Sequence, residues 1–275
     1  MDQGNTAFVL ISAALVLLMT PGLAFFYGGM VKAKSVVSMM MLSFGSLGLI
    51  AVLWVLYGYA ISFSNAGTST FFGIDGWFGI DTSVLGLTAQ VADAADPAGA
   101  VPSMAFVAFQ ASFAIITVAL ISGAIADRAK FGAWMVFAGV WATVVYFPVA
   151  NWVFNYGSAE DYSDGGWLVQ LGVIDFAGGT AVHINAGAAG LALAIVLGKR
   201  IGWRKESMRP HSLPLVMLGS GLLWFGWFGF NAGSSLAANG IAGLAFMNTQ
   251  VATAGAVIGW LLVEKIRNGH ATSLG

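Results

Sequence analysis

The sequence predicts an all-α polytopic membrane protein, and three observations carry that expectation. Hydrophobic residues make up 58% of the 275 residues and charged residues 8%, with a mean hydropathy of +0.84; soluble domains carry roughly a quarter charged residues. Seven largely apolar windows, near 7–31, 36–63, 104–126, 131–154, 176–198, 213–234 and 244–263, reach the length of a spanning helix, about 20 residues. All 11 Lys and Arg fall in alternate connections between those windows. Lipid offers no partner to backbone amides, and barrel strands would be half as long and alternating. Helices are therefore the expected form of every window.

The first window follows MDQGNTAFVL, which has no basic n-region, so it is expected to insert uncleaved. Lys32 and Lys34 follow the first window, and Arg128 and Lys130 the third. Lys199, Arg200, Arg204, Lys205 and Arg209 follow the fifth, and Lys265 and Arg267 the seventh. The positive-inside rule makes this basic side cytoplasmic, with the N-terminus outside and the C-terminus inside. Asp2, Asp75, Asp81, Asp93, Asp96, Glu160, Asp161 and Asp164 fall on the opposite side. The long connection there, 64–103, repeats Phe-Gly-Ile-Asp at 72–75 and 78–81 and then turns alanine- and aspartate-rich. It is expected to be an ordered external loop with interfacial aromatics. A net charge of -1 gives no support for nucleic-acid binding, and the absence of cysteine excludes disulfides, thiolate metal sites and a cysteine nucleophile.

Three further acids, Asp127, Glu206 and Glu264, fall on the basic side, which leaves Asp175, at the edge of the fifth window, as the one acid of the 12 placed in the membrane. His183 is likewise the one histidine inside a window. Ionisable groups in a membrane are costly and are functional candidates by default. Both belong to DFAGGTAVHINAG at 175–187. On one straight helix, residues eight apart differ by about 80° in direction and about 12 Å in height, so the two are not expected to pair. Asp175 stands where the helix begins and suits a cap on free N–H groups; help in attracting or desolvating a cation is the alternative. His183 either satisfies a neighbouring helix carbonyl or lines a pore, with one ring nitrogen accepting and the other donating. Gly178, Gly179, Ala181, Ala186 and Gly187 would let other helices approach. Asn185 is expected to bond between helices.

In MAFVAFQASFAIITVALISGAIADR, Phe109 and Phe113 share a face one turn apart, a pattern that core packing alone would explain. LGSGLLWFGWFGFNAGS places Phe230, Asn231 and Ser234 towards the outer end of the sixth window, and its glycines read first as close packing. Together, rings beside a hydroxyl could hold a small cation by cation–π attraction and one hydrogen bond. One aspartate and one histidine so far apart make no catalytic set, and no metal-ligand cluster occurs; neither an enzyme nor a cofactor is expected.

PGLAFFYGGMV at 21–31, FQASFA at 109–114, FGAWM at 131–135, DFAGGTAVHINAG and GWFGFNAGS at 226–234 resemble, in order, motifs of the ammonium transporter (Amt/Mep/Rh) family. The resemblance implies ammonium uptake across the plasma membrane by a homotrimer with one pore per subunit. It makes Phe109 and Ser234 walls of an external recruitment site, and Phe113 and Phe230 the stacked rings that gate the pore beneath. Asp175 matches the buried aspartate needed for transport, and His183 the first of twin pore histidines. A tryptophan usually completes the recruitment site at the end of the fourth span. Here NWVFNYG offers Trp152 or Phe154, and Phe154 would keep the ring face without the indole N–H.

The resemblance also implies a fold of about eleven spans, an inverted pair of five-span repeats plus a last helix. The first repeat would cover about 7–198 and the second would start at about 213–263, so the seven spans here are expected to be an amino-terminal portion without the second histidine. Nitrogen-regulatory PII proteins dock on the cytoplasmic face of such transporters. KRIGWRKESMR at 199–209 is an ordinary positive-inside loop first and a candidate contact second. An ammonium sensor of the same fold, coupled to a signalling partner, is the alternative function. A seven-helix retinal protein would need a lysine mid-way along its last span, and MNTQVATAGAVIGWLLVE has none.

Overall fold

The computed structural model describes residues 2–63, 70–71, 74–75, 79–91, 101–157 and 162–274. Seven helices among them are long and apolar enough to cross a membrane: α1 (Gln3–Met30), α2 (Ala33–Ser62), α3 (Ser103–Ile125), α4 (Phe131–Phe154), α5 (Gly179–Leu197), α6 (Leu213–Gly233) and α7 (Gly240–Asn268). They coincide with the seven apolar windows. The long connection after α2 holds a 3-10 segment, Thr82–Gln90, and a two-residue antiparallel pairing of Thr70–Phe71 with Ile74–Asp75. Much of that loop, including the alanine- and aspartate-rich stretch 92–100, lies outside the described residues.

Helix ends begin where a side chain supplies the oxygen that first-turn amides lack. Asp2 accepts from the amide of Asn5 at 2.7 Å, and Asn239 from that of Ala242 at 3.0 Å. α7 closes on Gly269, whose φ of +80° suits glycine, after Lys265 and Arg267 in its last turn.

α1 and α6 run antiparallel with their backbones in contact, as small residues permit. A β-carbon at Gly219 would stand 2.3 Å from the amide nitrogen of Phe26, and one at Gly226 would stand 2.6 Å from the carbonyl of Leu15. Beside this contact, α6 carries Phe230, whose ring stacks on Phe113 of α3, and Trp227, whose ring stacks on His183 of α5. α3 is the central post, with 78% of its apolar window buried, against 11% for α7. Buried polar groups tie neighbours to it. Tyr27 of α1 donates to the carbonyl of Leu120 at 2.9 Å, and the Trp54 indole of α2 to that of Val107 at 3.1 Å. α2 and α4 are joined by the Trp134 indole, which donates to Leu42 and Ser46.

Three spans contain one π-helical turn each, at Trp54–Gly58, Ala142–Tyr146 and Gly179–Ile184. At the basic end, Lys32 pairs with Glu206 at 2.9 Å and Arg200 with Asp127, which connects the three loops there.

Candidate functional site

The acidic end of the bundle holds a cavity of about 80 Å³, walled by Phe109, Phe113, Phe154, Tyr156 and Ser234. That is room for a few water-sized molecules and too little for a large ligand. Phe113 of α3 lines its floor and stacks on Phe230 of α6, with centroids 4.3 Å apart and planes 30° apart. Phe109 meets Phe113 edge-on at 4.8 Å, one helical turn nearer the acidic end. Below the stack, the His183 ring lies 5.7 Å from Phe230 and is parallel to Trp227 at 5.4 Å. Five rings thus form one column from the cavity wall into the span. With Phe113 and Phe230 exposed by no more than 2%, the column is closed.

Ser234 lies one turn beyond Phe230 on α6. Its hydroxyl donates to the Phe230 carbonyl at 2.8 Å, so its remaining capacity is to accept a hydrogen bond. Tyr156 donates its hydroxyl to the backbone carbonyl of Asp175 at 3.3 Å. Burial, and then the Asp175 charge, push its phenol above the ordinary tyrosine range, so it stays a neutral donor.

Asp175 stands just before α5, outside the helix. Its carboxylate accepts from three backbone amides: Gly178 at 2.7 Å, Thr180 at 2.9 Å and Ala181 at 2.9 Å. Gly178 makes this hook possible with a φ of +104°, and a β-carbon there would crowd Val182 at 2.8 Å and approach the Phe230 ring at 3.4 Å. The Gly178 carbonyl then accepts from both Val182 and His183, which opens the first turn into a π turn.

The structure corrects several expectations. Asp175 and His183 do not share one straight helix, because α5 starts only at Gly179 and starts as a π turn. Of the two aromatic candidates at the end of α4, Phe154 faces the cavity and lies 6.2 Å from Phe113, whereas Trp152 turns away against Trp167 at 5.2 Å. Asn185 bonds within its own helix, donating to the Ala181 carbonyl at 3.3 Å, rather than between helices. No side chain comes near the position a Gly187 β-carbon would take; the close approach on α5 falls at Gly190, against Ala124 of α3. Phe63, Phe106, Gln110 and Tyr156 line the cavity and were not singled out, nor was Trp227 beneath it. Gln110 had a signal, since it is a lone amide inside an apolar span.

The fold and site define a multi-spanning membrane protein in which a small aromatic cavity, with the hydroxyls of Ser234 and Tyr156 in its wall, sits over a closed ring pair and an intramembrane histidine. The profile of the Ammonium Transporter Family matches residues 7–275, and the chain belongs to that family. A relative from Mycobacterium tuberculosis (strain ATCC 25618 / H37Rv), named Ammonium transporter, is 59% identical over 283 residues, which cover 100% of this chain and 59% of the relative. The Ammonium transporter of Bacillus subtilis (strain 168) is 48% identical over 275 residues, 100% of this chain and 63% of the relative. Among solved structures, Saccharomyces cerevisiae Mep2 superposes with a TM-score of 0.86 at 32% identity, covering 100% of this chain and 60% of that one. A structure named Sensor Amt Protein gives 0.85 at 28% identity, covering 98% and 64%. The chain therefore spans about three-fifths of the length of the proteins it matches.

Proposed function

We propose that the protein to which this chain belongs carries ammonium across the plasma membrane, entering from the acidic end. The observation that carries this reading is the ring column, with an accepting hydroxyl at its top and His183 directly beneath its closed floor. Ammonium in the cavity would donate one N–H to Ser234 Oγ and rest its charge on the faces of Phe109, Phe113 and Phe154. The Asp175 carboxylate has its oxygens engaged by three amides. It would favour the cation through its field and hold Gly178 against Phe230, without touching substrate. Proton loss above the Phe113–Phe230 gate leaves neutral ammonia, which an apolar passage admits and which His183 meets as a hydrogen-bonding group. Potassium has no N–H to donate and no proton to shed, so the same passage strands it.

The basic loops support a cytoplasmic opposite face and an N-terminus outside. α1 to α5, about 7–198, form one repeat; α6 and α7, about 213–263, open a second, and the intimate α1–α6 contact supports their equivalence. Assembly as a homotrimer and docking of a PII-type regulator on the basic face are part of the same proposal, and the family likeness supports them. The likeness to Sensor Amt Protein supports a second reading, in which the same recruitment site feeds a signalling partner.

His183→Ala in the full-length protein tests the passage. Selective methylammonium uptake should be lost while the protein still reaches the membrane. Unchanged uptake with unchanged exclusion of potassium would remove His183 from the route.

A further inference from the structure

Between α4 and α5 the chain folds back on itself. It leaves α4 at Asn155 and returns at Gly166, whose amide donates to the Asn155 carbonyl at 2.8 Å. Within the loop, the Gly157 amide donates to the side-chain oxygen of Asn155 at 3.1 Å, and the Gly165 amide to the Tyr162 carbonyl at 3.0 Å. Two glycines make the closure tight. Gly157 has a φ of +68°, and a β-carbon there would collide with Asp164 Oδ1; one on Gly166 would collide with the Asn151 carbonyl. The Asp164 carboxylate is thereby laid against Gly157, which with Tyr156 forms part of the wall of the aromatic cavity.

Two carboxylates thus stand by this cavity, and they differ. Asp175 is buried, and its oxygens serve three backbone amides. Asp164 is only partly buried, so its field extends into water as well as towards the wall. All 11 Lys and Arg belong to connections at the opposite end of the bundle, so no Lys or Arg of this chain opposes the acidic field here. The rings attract a cation only within about 6 Å of a centroid, whereas a partly exposed charge acts over a Debye length of about 8–10 Å at ordinary ionic strength. A negative charge at the rim of a cleft with low-dielectric walls raises the local concentration of cations.

We infer that Asp164 is a steering residue for recruitment: its charge concentrates ammonium and other small monovalent cations at the Gly157 wall, from which they reach the rings. This role rests on the reading of the cavity as the entry site for ammonium. Neutral ammonia and neutral amines gain nothing from it. Asp164 sets how much cation is needed for half-saturation, and the steps below the gate set the maximal rate.

The test is methylammonium uptake into proteoliposomes holding the full-length protein, at ionic strengths of about 0.01 M and about 1 M, where the Debye length is about 30 Å and about 3 Å. At the lower value, the neutral variants Asp164→Asn and Asp164→Ser should raise half-saturating methylammonium about 3-fold, the effect of one partly exposed charge. Their maximal rates should match wild type. At the higher value, all half-saturations should agree within about 1.3-fold, because the charge is screened. Asp164→Glu should follow wild type at both, and thermal unfolding checks the folding of each variant. Equal half-saturation in wild type and the neutral variants at low ionic strength would overturn the steering role. So would a deficit that persists undiminished at about 1 M, or one that appears only in the maximal rate. An absence of saturable uptake by wild type would instead overturn the reading of the cavity as the entry site, and this role with it.

Discussion

Asp175 gives the sharpest separation between a residue that shapes the site and one that touches the cation. Asp175→Ala removes the acceptor of three amides, two of them, on Gly178 and Ala181, in buried residues. Leaving a buried donor unpaired costs about 1–3 kcal/mol, and loss of a helix cap about 0.5–2 kcal/mol. Two buried amides at about 2 kcal/mol each, with a smaller part for half-buried Thr180, amount to about 4–5 kcal/mol. Asp175→Asn keeps one accepting oxygen and turns an amide group towards the remaining N–H, so about 2–3 kcal/mol is expected. Tryptophan-fluorescence unfolding in detergent, with backbone hydrogen exchange over 178–184, reads the effect, and methylammonium uptake is measured on the same variants. Stability, protection at the start of α5 and uptake should fall together, alanine below asparagine. If Asp175→Asn keeps its unfolding temperature and protection and still loses all uptake, the carboxylate acts on the cation directly and the cap argument fails.

Three further outcomes are expected. Gly219→Ala drives a methyl to within 2.3 Å of the Phe26 amide and should lower the yield and unfolding temperature of the folded protein, whereas Gly221→Ala, with nothing within 4 Å, should be neutral in the same assay. Phe154→Trp enlarges the ring offered to the cation and should lower half-saturating methylammonium by about 2- to 5-fold; an unchanged value would remove this ring from recruitment. Asp127 has its folded pKa lowered, so its contribution is present above the unfolded value of about 3.9 and is lost as pH falls through the folded one. Hydrogen exchange in 127–130 and 198–206 should therefore stay protected at pH 5 and rise only below about pH 4.

The spans were legible because lipid leaves a helix as the one way to satisfy twenty consecutive amides, and the basic loops separated the two faces of the bundle. Charge counting isolated Asp175 and His183 for the same reason, since each is expensive where it stands. What lay beyond the sequence was direction. Trp152 and Phe154 are two residues apart and point about 160° apart around a helix, so only one can face the cavity, and the packing of Trp152 against Trp167 decides which. The straight-helix assumption failed at Gly178, whose left-handed backbone no hydrophobic pattern encodes. The stack of Phe113 on Phe230 joins residues more than a hundred positions apart, and Phe63 and Tyr156 reach the cavity from the ends of other spans; local periodicity reports neither.

The π turn at Gly179–Ile184 amounts to a single-residue insertion held inside a helix. Deleting one residue between these positions would leave a regular α-helix that is sound on its own terms. It would also put the two halves out of phase. The Asp175 hook and the Gly190–Ala124 contact on α3 would then stand one step apart in rotation, and only one of them could be kept. α5 should therefore tolerate many apolar exchanges along its length and almost no change in its residue count, a constraint that an alignment scored by substitution alone would not register.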